Sequence, residues 1–128
     1  MLANSKAFSG FAVDDLDKAQ QFYGETLGLD VEVLDEENGL LTLHLAGDRD
    51  TLAYLSSGMT PASYTILNFP VDDIDQVVDE LASRGVSFEQ YGNDEMPQDE
   101  KGVMRDGGPL IAWFKDPAGN TLSVLQEG

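Results

Sequence analysis

The side chains able to do acid–base or metal chemistry are few in this chain of 128 residues, which has a single histidine, His44, and no cysteine. Without cysteine it cannot form a disulfide, a thiolate zinc site or a thiol nucleophile. One imidazole cannot by itself supply the two histidines and one carboxylate that hold iron in many enzymes. His44 is therefore a candidate for ligand binding or acid–base catalysis, with a partly exposed histidine of no catalytic role as the alternative.

Two acidic pairs, Asp14/Asp15 and Asp72/Asp73, are the next candidates for chemistry. Carboxylates bind divalent metals, but each pair also stands where a helix is expected to begin. An aspartate at that position accepts a hydrogen bond from a free backbone amide and interacts favourably with the helix dipole. We therefore interpret both pairs as helix N-caps.

Tyr54, Tyr64 and Arg105 offer polar groups to a small molecule. Arg105 lies in a predicted loop over residues 92–108, which holds five acidic residues and four glycines and is too polar to be core. We weigh contact with an anionic ligand against an ordinary surface charge. The flanking glycines are typical of a lid, and an ordinary mobile loop is the alternative.

The elements that must position these residues occur twice. Residues 11–17 (FAVDDLD) return as residues 69–75 (FPVDDID). In each copy a strand with alternating apolar residues leads into the acidic pair and then into an amphipathic helix, which ends at Gly28 or at Gly85. The repeat predicts two similar modules.

Strands are expected after each helix. Alternation and turn residues predict them near 29–35, 40–46, 51–56, 86–91, 109–115 and 120–126. Each half is then β-α-β-β-β, which makes the fold class α+β, with helices covering one face of antiparallel sheets. The two modules are predicted over about 1–57 and 63–128 of one domain, with a linker at 58–62.

The composition is that of a globular domain with 41% hydrophobic residues and a net charge of −17. This charge argues against nucleic acid and anionic membranes, whose phosphates require a basic surface. Plain solubilisation and adaptation to salt both explain it. No apolar run approaches the roughly 18 residues of a membrane span, and the start of the chain lacks a secretion signal. We therefore expect a cytoplasmic location.

The sequence resembles the vicinal oxygen chelate superfamily, which includes glyoxalase I, bleomycin-resistance proteins, fosfomycin-resistance enzymes and extradiol dioxygenases. The resemblance rests on residues 13–16 (VDDL), Ala19, residues 22–23 (FY), residues 27–28 (LG) and the turn at 116–120 (DPAGN). It implies two βαβββ modules whose sheets curl into a cup with the helices outside. It also implies a homodimer, in which two modules, often from different subunits, enclose the site.

The resemblance indicates where metal ligands would stand. Metal-dependent members have histidine early in the first strand, histidine or glutamine at the start of the second module, and glutamate in the last strand. Here these positions hold Phe8, Ile66 and Ser123. Hydrocarbon side chains cannot coordinate a metal, and a neutral hydroxyl is a poor ligand. The sequence therefore predicts no metal and no cofactor, as in the metal-free, drug-sequestering branch of the family.

Strand alternation extends the lining of the predicted cup. If Phe8 and Ile66 face the cup, then so does Asn68. Family members that use an aromatic residue from the penultimate strand have it three residues before the aspartate of the final turn, which here is Trp113. The predicted ligand-binding residues are Phe8, His44, Tyr54, Ile66, Asn68, Trp113, Ser123 and Arg105.

The leading hypothesis is a protein that binds a hydrophobic or aromatic small molecule without transforming it, as in drug sequestration or resistance. Three alternatives stay open. One is a lyase, isomerase or dioxygenase-like enzyme with unconventional metal ligands, and another is metal-free acid–base catalysis by His44. The last is a degenerate module that acts only as a subunit of a larger assembly.

Overall fold

The structure is a computed structural model that describes residues 1–92, 97–106 and 108–127. The chain divides into two compact units, Met1–Thr60 and Pro61–Gly128. Each unit combines one small sheet with one α-helix, which confirms the predicted α+β fold class. No helix in the described part of the chain is long and apolar enough to cross a bilayer.

The first unit contains a four-stranded sheet. Its elements are β1 (Ser9–Val13), α1 (Leu16–Gln21), a π-helical turn (Phe22–Thr26), β2 (Asp30–Asp35), β3 (Leu40–Leu45) and β4 (Arg49–Leu55). The strand order is β1-β4-β3-β2. The turn between β2 and β3 needs Gly39, because its φ is +70° and an added Cβ would lie 2.6 Å from the Cβ of Leu55.

The second unit contains a three-stranded sheet in the order β5-β7-β6. Its elements are β5 (Thr65–Pro70), α2 (Ile74–Ser83), β6 (Leu110–Lys115) and β7 (Thr121–Gln126). The prediction of a strand at 86–91 is wrong, since only Phe88 forms a bridge, to Phe114. The carbonyl of Glu89 accepts a hydrogen bond from the Gln98 side chain at 3.0 Å. A side chain thus makes the hydrogen bond that a neighbouring strand would make to this carbonyl if the strand were longer.

Each sheet is mixed, so the prediction of antiparallel sheets is wrong for one pair in each. The hairpin pairs β2–β3, β3–β4 and β6–β7 are antiparallel, whereas β1–β4 and β5–β7 are parallel. The reason is that a helix and two further passes return the chain beside its first strand in the original direction. Neither sheet closes on itself among the described residues.

The predicted helix N-caps are confirmed. The Asp15 carboxylate accepts a hydrogen bond from the Lys18 amide at 3.0 Å, and the Asp73 carboxylate accepts one from the Gln76 amide at 3.1 Å. Each helix packs its apolar stripe on the sheet of its own unit. The largest fully buried apolar side chains are those of Val13, Tyr23, Leu41, Leu43, Ile74, Val103, Phe114 and Leu122.

The described part of the predicted loop, residues 97–106, is packed rather than free. Gly102 and Val103 are buried, so the prediction that this loop is too polar to be core is wrong at these positions. Lys101 forms an ion pair with Asp79 of α2 at 3.1 Å. The remaining loop residues at 93–96 and 107 lie outside the described residues, and the lid stays a prediction.

The turn at 116–120 is a structural motif. The buried Asp116 carboxylate accepts hydrogen bonds from the Ala118 and Asn120 amides at 3.0 and 2.8 Å. The Asn120 side chain accepts one from the Ala62 amide at 2.9 Å. Gly119 completes the turn with a φ of +93°, which favours glycine. These contacts place the start of β7 beside residue 62.

Candidate functional site

The first sheet has a core face and a second face, here called the open face. Phe11, Leu41 and Ala53 are buried on the core face. Strand alternation puts their neighbours on the open face, and the pairing of Gly10 with Leu52 and of Leu52 with Thr42 aligns these residues across three strands. His44 and Tyr54 share the face of Leu52 and Thr42, two positions further along their own strands.

A cavity of about 730 Å³ lies at the end of this sheet where β1 and β4 begin, within the range of about 300–1,000 Å³ typical of small-molecule sites. Its apolar lining comes from Ala7, Phe8, Leu34, Leu45 and Leu52. Its polar lining comes from Lys6, Ser9, Thr42, Asp48, Arg49, Asp50 and Thr51. Phe8 immediately precedes β1 and is 68% exposed, so its ring is available to a ligand.

His44 stands between two carboxylates. Its Nε2 lies 2.9 Å from Glu32 of β2, and its Nδ1 lies 2.9 Å from Asp50 of β4. The hydrogen bond to Glu32, and then that to Asp50, raises the pKa of His44 to about 9. At neutral pH the ring is therefore an imidazolium that donates from both nitrogens and cannot accept a proton. Because Asp50 also lines the cavity, this charged cluster borders it.

The second sheet carries a row of three predicted site residues. Trp113 of β6 is paired with Ser123 of β7, and Ser123 is paired with Asn68 of β5. The fully buried Ser123 hydroxyl donates a hydrogen bond to Asn68 Oδ1 at 2.6 Å, while the Asn68 side chain stays exposed. We call Asn68, Ser123 and Trp113 the aromatic row.

Tyr91 extends this row and was missed in the sequence analysis. Its ring contacts the Trp113 indole edge-on, with centroids 5.7 Å apart and planes at 62°. The Glu89 amide donates to the Trp113 carbonyl at 2.8 Å, which holds the segment before Tyr91 beside β6. The signal that could have found Tyr91 is its position at the end of the segment 86–91, which was predicted to be a strand.

Two further residues considered in the sequence analysis, Ile66 and Tyr64, are not placed in the cavity or in the aromatic row by the contacts described above. The pairing of β5 with β7 shifts between Thr65 and Leu67, so Ile66 stands at an irregularity and alternation from Asn68 does not fix where it faces. Tyr64 is largely exposed just before β5. Both remain predictions as ligand contacts.

Arg105 is engaged by two carboxylates. It lies 2.5 Å from Asp75 of α2 and 2.9 Å from Asp99. The hydrogen bond from Arg105 holds the pKa of the Asp75 carboxyl below its ordinary value. The guanidinium thus fastens the segment 97–106 to α2, and its role toward a ligand stays a prediction.

The residues at the three aligned positions do not fit the metal that the resemblance implies. Phe8 and Ile66 have no donor atom, and the Ser123 hydroxyl is already bonded to Asn68. The carboxylates beside His44 occupy different ring nitrogens and therefore do not converge on one point. No cluster of three histidine, aspartate or glutamate side chains suited to a metal occurs at residues 1–92, 97–106 and 108–127.

The two-unit fold and these faces define a vicinal oxygen chelate domain. The chain belongs to the Glyoxalase/Bleomycin resistance protein/Dioxygenase superfamily, whose model matches residues 7–124. This finding confirms the family that the repeated motif and the final turn predicted.

Relatives of similar length extend the comparison. The uncharacterized protein YraH of Bacillus subtilis (strain 168) is 29% identical over 127 residues, covering 89% of this chain and 91% of that protein. The crystal structure of TnmS3, an antibiotic binding protein from Streptomyces sp. CB03234, is 27% identical with a TM-score of 0.68 and covers 98% of both chains. A superfamily member from Sphaerobacter thermophilus DSM 20745 is 27% identical with a TM-score of 0.69, over 94% of this chain and 97% of the other.

Proposed function

We propose that this protein binds a hydrophobic or aromatic small molecule without transforming it, in the manner of drug sequestration. The observation that carries the proposal is the cavity of about 730 Å³ with Phe8 at the first aligned ligand position. The apolar surface of an exposed phenyl ring is removed from water only when another group covers it, and this removal is favourable. A flat apolar ligand in this cavity would cover Phe8 and Leu34, which is 57% exposed.

The charges of the chain restrict the ligand further. A net charge of −17 produces a negative potential that repels anions at a distance. The cavity itself holds both signs, with Lys6 and Arg49 opposite in charge to Asp48 and Asp50. A neutral or cationic aromatic compound therefore fits better than an anionic one.

The comparison with TnmS3 supports this proposal, because that protein is described as antibiotic binding and aligns over nearly the whole chain. Sequestration of a toxic aromatic compound is accordingly the physiological role that we propose. The homodimer implied by the family stays a prediction, and the exposed side chains of Tyr54 and Leu55 in the first unit are compatible with it.

Titration with the neutral aromatic dye Nile red tests the proposal. We expect saturable binding, and we expect Phe8→Ala to raise the dissociation constant about tenfold through lost apolar contact. The matched control is Leu2→Ala, because Leu2 is also exposed and apolar but does not line the cavity. Equal binding by wild type and Phe8→Ala, or no saturable binding, would contradict the proposal.

Metal analysis of untreated protein separates this proposal from the enzyme alternative. About one metal per chain, with a thermal shift on adding zinc, manganese, iron(II) or nickel, would favour an enzyme with unconventional ligands. The alternative of metal-free catalysis with His44 as the base is disfavoured, because a pKa of about 9 leaves His44 protonated at neutral pH and a protonated imidazole cannot accept a proton.

A further inference from the structure

Asp50 is a carboxylate of the cavity whose contacts are set by the protein. It lies on the open face of the first sheet together with Leu52, which also lines the cavity. Its Oδ1 lies 2.9 Å from His44 Nδ1, and His44 Nε2 lies 2.9 Å from Glu32. An ionised carboxylate can only accept hydrogen bonds, so both ring nitrogens donate and the direction of each contact is unambiguous.

The second oxygen of Asp50, Oδ2, is available to a ligand. It has no hydrogen bond or ion pair in the described part of the chain, and the Asp50 side chain is 53% exposed. Neither His44 nor Glu32 lines the cavity. Asp50 is therefore the member of this cluster that can contact a molecule in the cavity.

The cluster carries an uncompensated negative charge, because two carboxylates face one imidazolium. The positive charges of the cavity, Lys6 and Arg49, come from other positions. Strand alternation puts Arg49 on the face of β4 opposite to Asp50, and Lys6 precedes β1. On the open face a charged ligand therefore meets Asp50 rather than Arg49.

From this arrangement we infer that Asp50 binds a cationic nitrogen of the ligand, whose aromatic part packs on the apolar lining at Leu34 and Leu52. The inference rests on the proposed function and narrows its ligand class to aromatic compounds that carry an amine or ammonium group. Asp50 is the specificity-determining residue, and the charge of His44 beside it tunes its strength. The negative potential of a chain with a net charge of −17 raises the local concentration of such cations.

The test compares (2-naphthylmethyl)trimethylammonium with 2-neopentylnaphthalene, in which a carbon atom replaces the charged nitrogen without a change of shape. The charge of the first probe is permanent, so pH acts on the protein alone. Because His44 is the single histidine, its ring ¹H–¹³C resonances report binding beside Asp50. The ratio of the two dissociation constants then measures the recognition of charge.

Two matched variants test the contact. Asp50→Asn keeps an oxygen for His44 but removes the charge, so the affinity for the ammonium probe should fall about threefold to fivefold, as for a partly exposed ion pair. Asp30→Asn removes the same charge from a residue that is paired with His44 but does not line the cavity, and it should change the ratio less than about 1.5-fold. The affinity of both variants for 2-neopentylnaphthalene should stay within about twofold of wild type, which also shows that they are folded.

A pH profile adds a readout that a loss of packing would not produce. The charged groups that face His44 are Asp30 and Glu32 of β2 and Asp50 of β4. The hydrogen bonds to Glu32 and Asp50 raise the pKa of His44 to about 9. When the ring loses its proton above this pH, the affinity for the ammonium probe should rise about twofold to threefold in wild type and stay level in His44→Gln. The same profile in both proteins would overturn the inference.

The outcomes also distinguish this inference from the proposed function. An equal loss of both probes in Asp50→Asn, no loss of either, or equal effects of Asp50→Asn and Asp30→Asn on the ratio would overturn the inference while leaving the binding function in place. If neither probe shifts the His44 resonances although Nile red binds, the inference fails alone. If Nile red does not bind either, the proposed function fails as well.

Discussion

The two units are built on the same repeat, but their sheets differ in strand number and in the side chains on the face away from the core. Each has a strand, an aspartate-capped helix and a parallel pair of strands, β1–β4 or β5–β7. The first unit has three full strands after its helix, and its open face places His44 between two acids. The second unit has two full strands after its helix, and the packed segment 97–106, in which Gln98 and Met104 form isolated bridges, follows the bridge at Phe88.

This difference shows which parts of the repeat are constrained. The Asp-Asp step and the helix keep the same backbone contacts in both units, at 3.0 and 3.1 Å, because they initiate each helix. The faces away from the core are free to diverge, so one carries charge around a cavity and the other carries a tryptophan beside a serine and an asparagine. The following predictions test whether the units are equivalent in packing and different in chemistry.

The largest effect is expected in the core of the first unit. Phe11 is 7% exposed and contacts Tyr23 with ring centroids 5.6 Å apart, whereas its repeat partner Phe69 is only partly buried. Phe11→Ala should lower the free energy of unfolding by about 3–5 kcal/mol. Phe69→Ala should cost about 1–2 kcal/mol. Urea unfolding followed by circular dichroism measures both, and equal costs would show that the two units pack alike.

A smaller and symmetrical effect is expected at the helix caps. Asp15→Ala and Asp73→Ala should each lower the free energy of unfolding by about 1 kcal/mol, because each removes the acceptor for a free helix amide. The controls are Asp14→Ala and Asp72→Ala, which remove the same charge without removing a cap. Urea titrations of the four variants check the symmetry. A cost confined to one helix would break the structural equivalence of the repeat.

The smallest effect should be a pH dependence that belongs to the first unit. The pKa of His44 is raised from 6.5 to about 9 by Glu32 and Asp50, so its stabilising contribution is complete below pH 6.5 and lost as pH rises through 9. The melting temperature of wild type should exceed that of His44→Gln at pH 6, and the difference should vanish near pH 10. An imidazole titration by NMR with its midpoint near 6.5 would refute the paired geometry.

Much of this architecture was predictable because it is locally encoded. The caps at Asp15 and Asp73 follow from residue type at the start of an apolar stripe, and the hairpin at Gly39 follows from its turn residues. The sequence of residues 86–91 predicts a strand, whereas the structure has only one bridge there. The hydrogen bond to the Glu89 carbonyl comes from Gln98, which lies outside this segment, so the pattern within the segment could not reveal it.

The candidate site was predictable only where alternation within one strand was enough. The family resemblance pointed to Ser123 and Trp113, and the structure pairs them on β7 and β6, while their role toward a ligand stays a prediction. Ile66 is not placed in this way, because the irregularity beside it breaks the alternation of β5. The partners of His44 depend on how three strands are aligned, and the sequence pattern does not specify that register.

The parallel pairing of β1 with β4 also has a consequence for the order of folding. Ser9 and Thr51 are neighbours in the sheet although 42 residues separate them. The hairpins β2–β3 and β3–β4 close short loops and need no distant partner, so they can form early. During synthesis β1 leaves the ribosome first but has nowhere to dock until β4 has emerged. We therefore expect β1, which Phe8 immediately precedes, to be the last strand to join its sheet. The cavity forms only after β1 has paired with β4, because Phe8 and Ser9 line it.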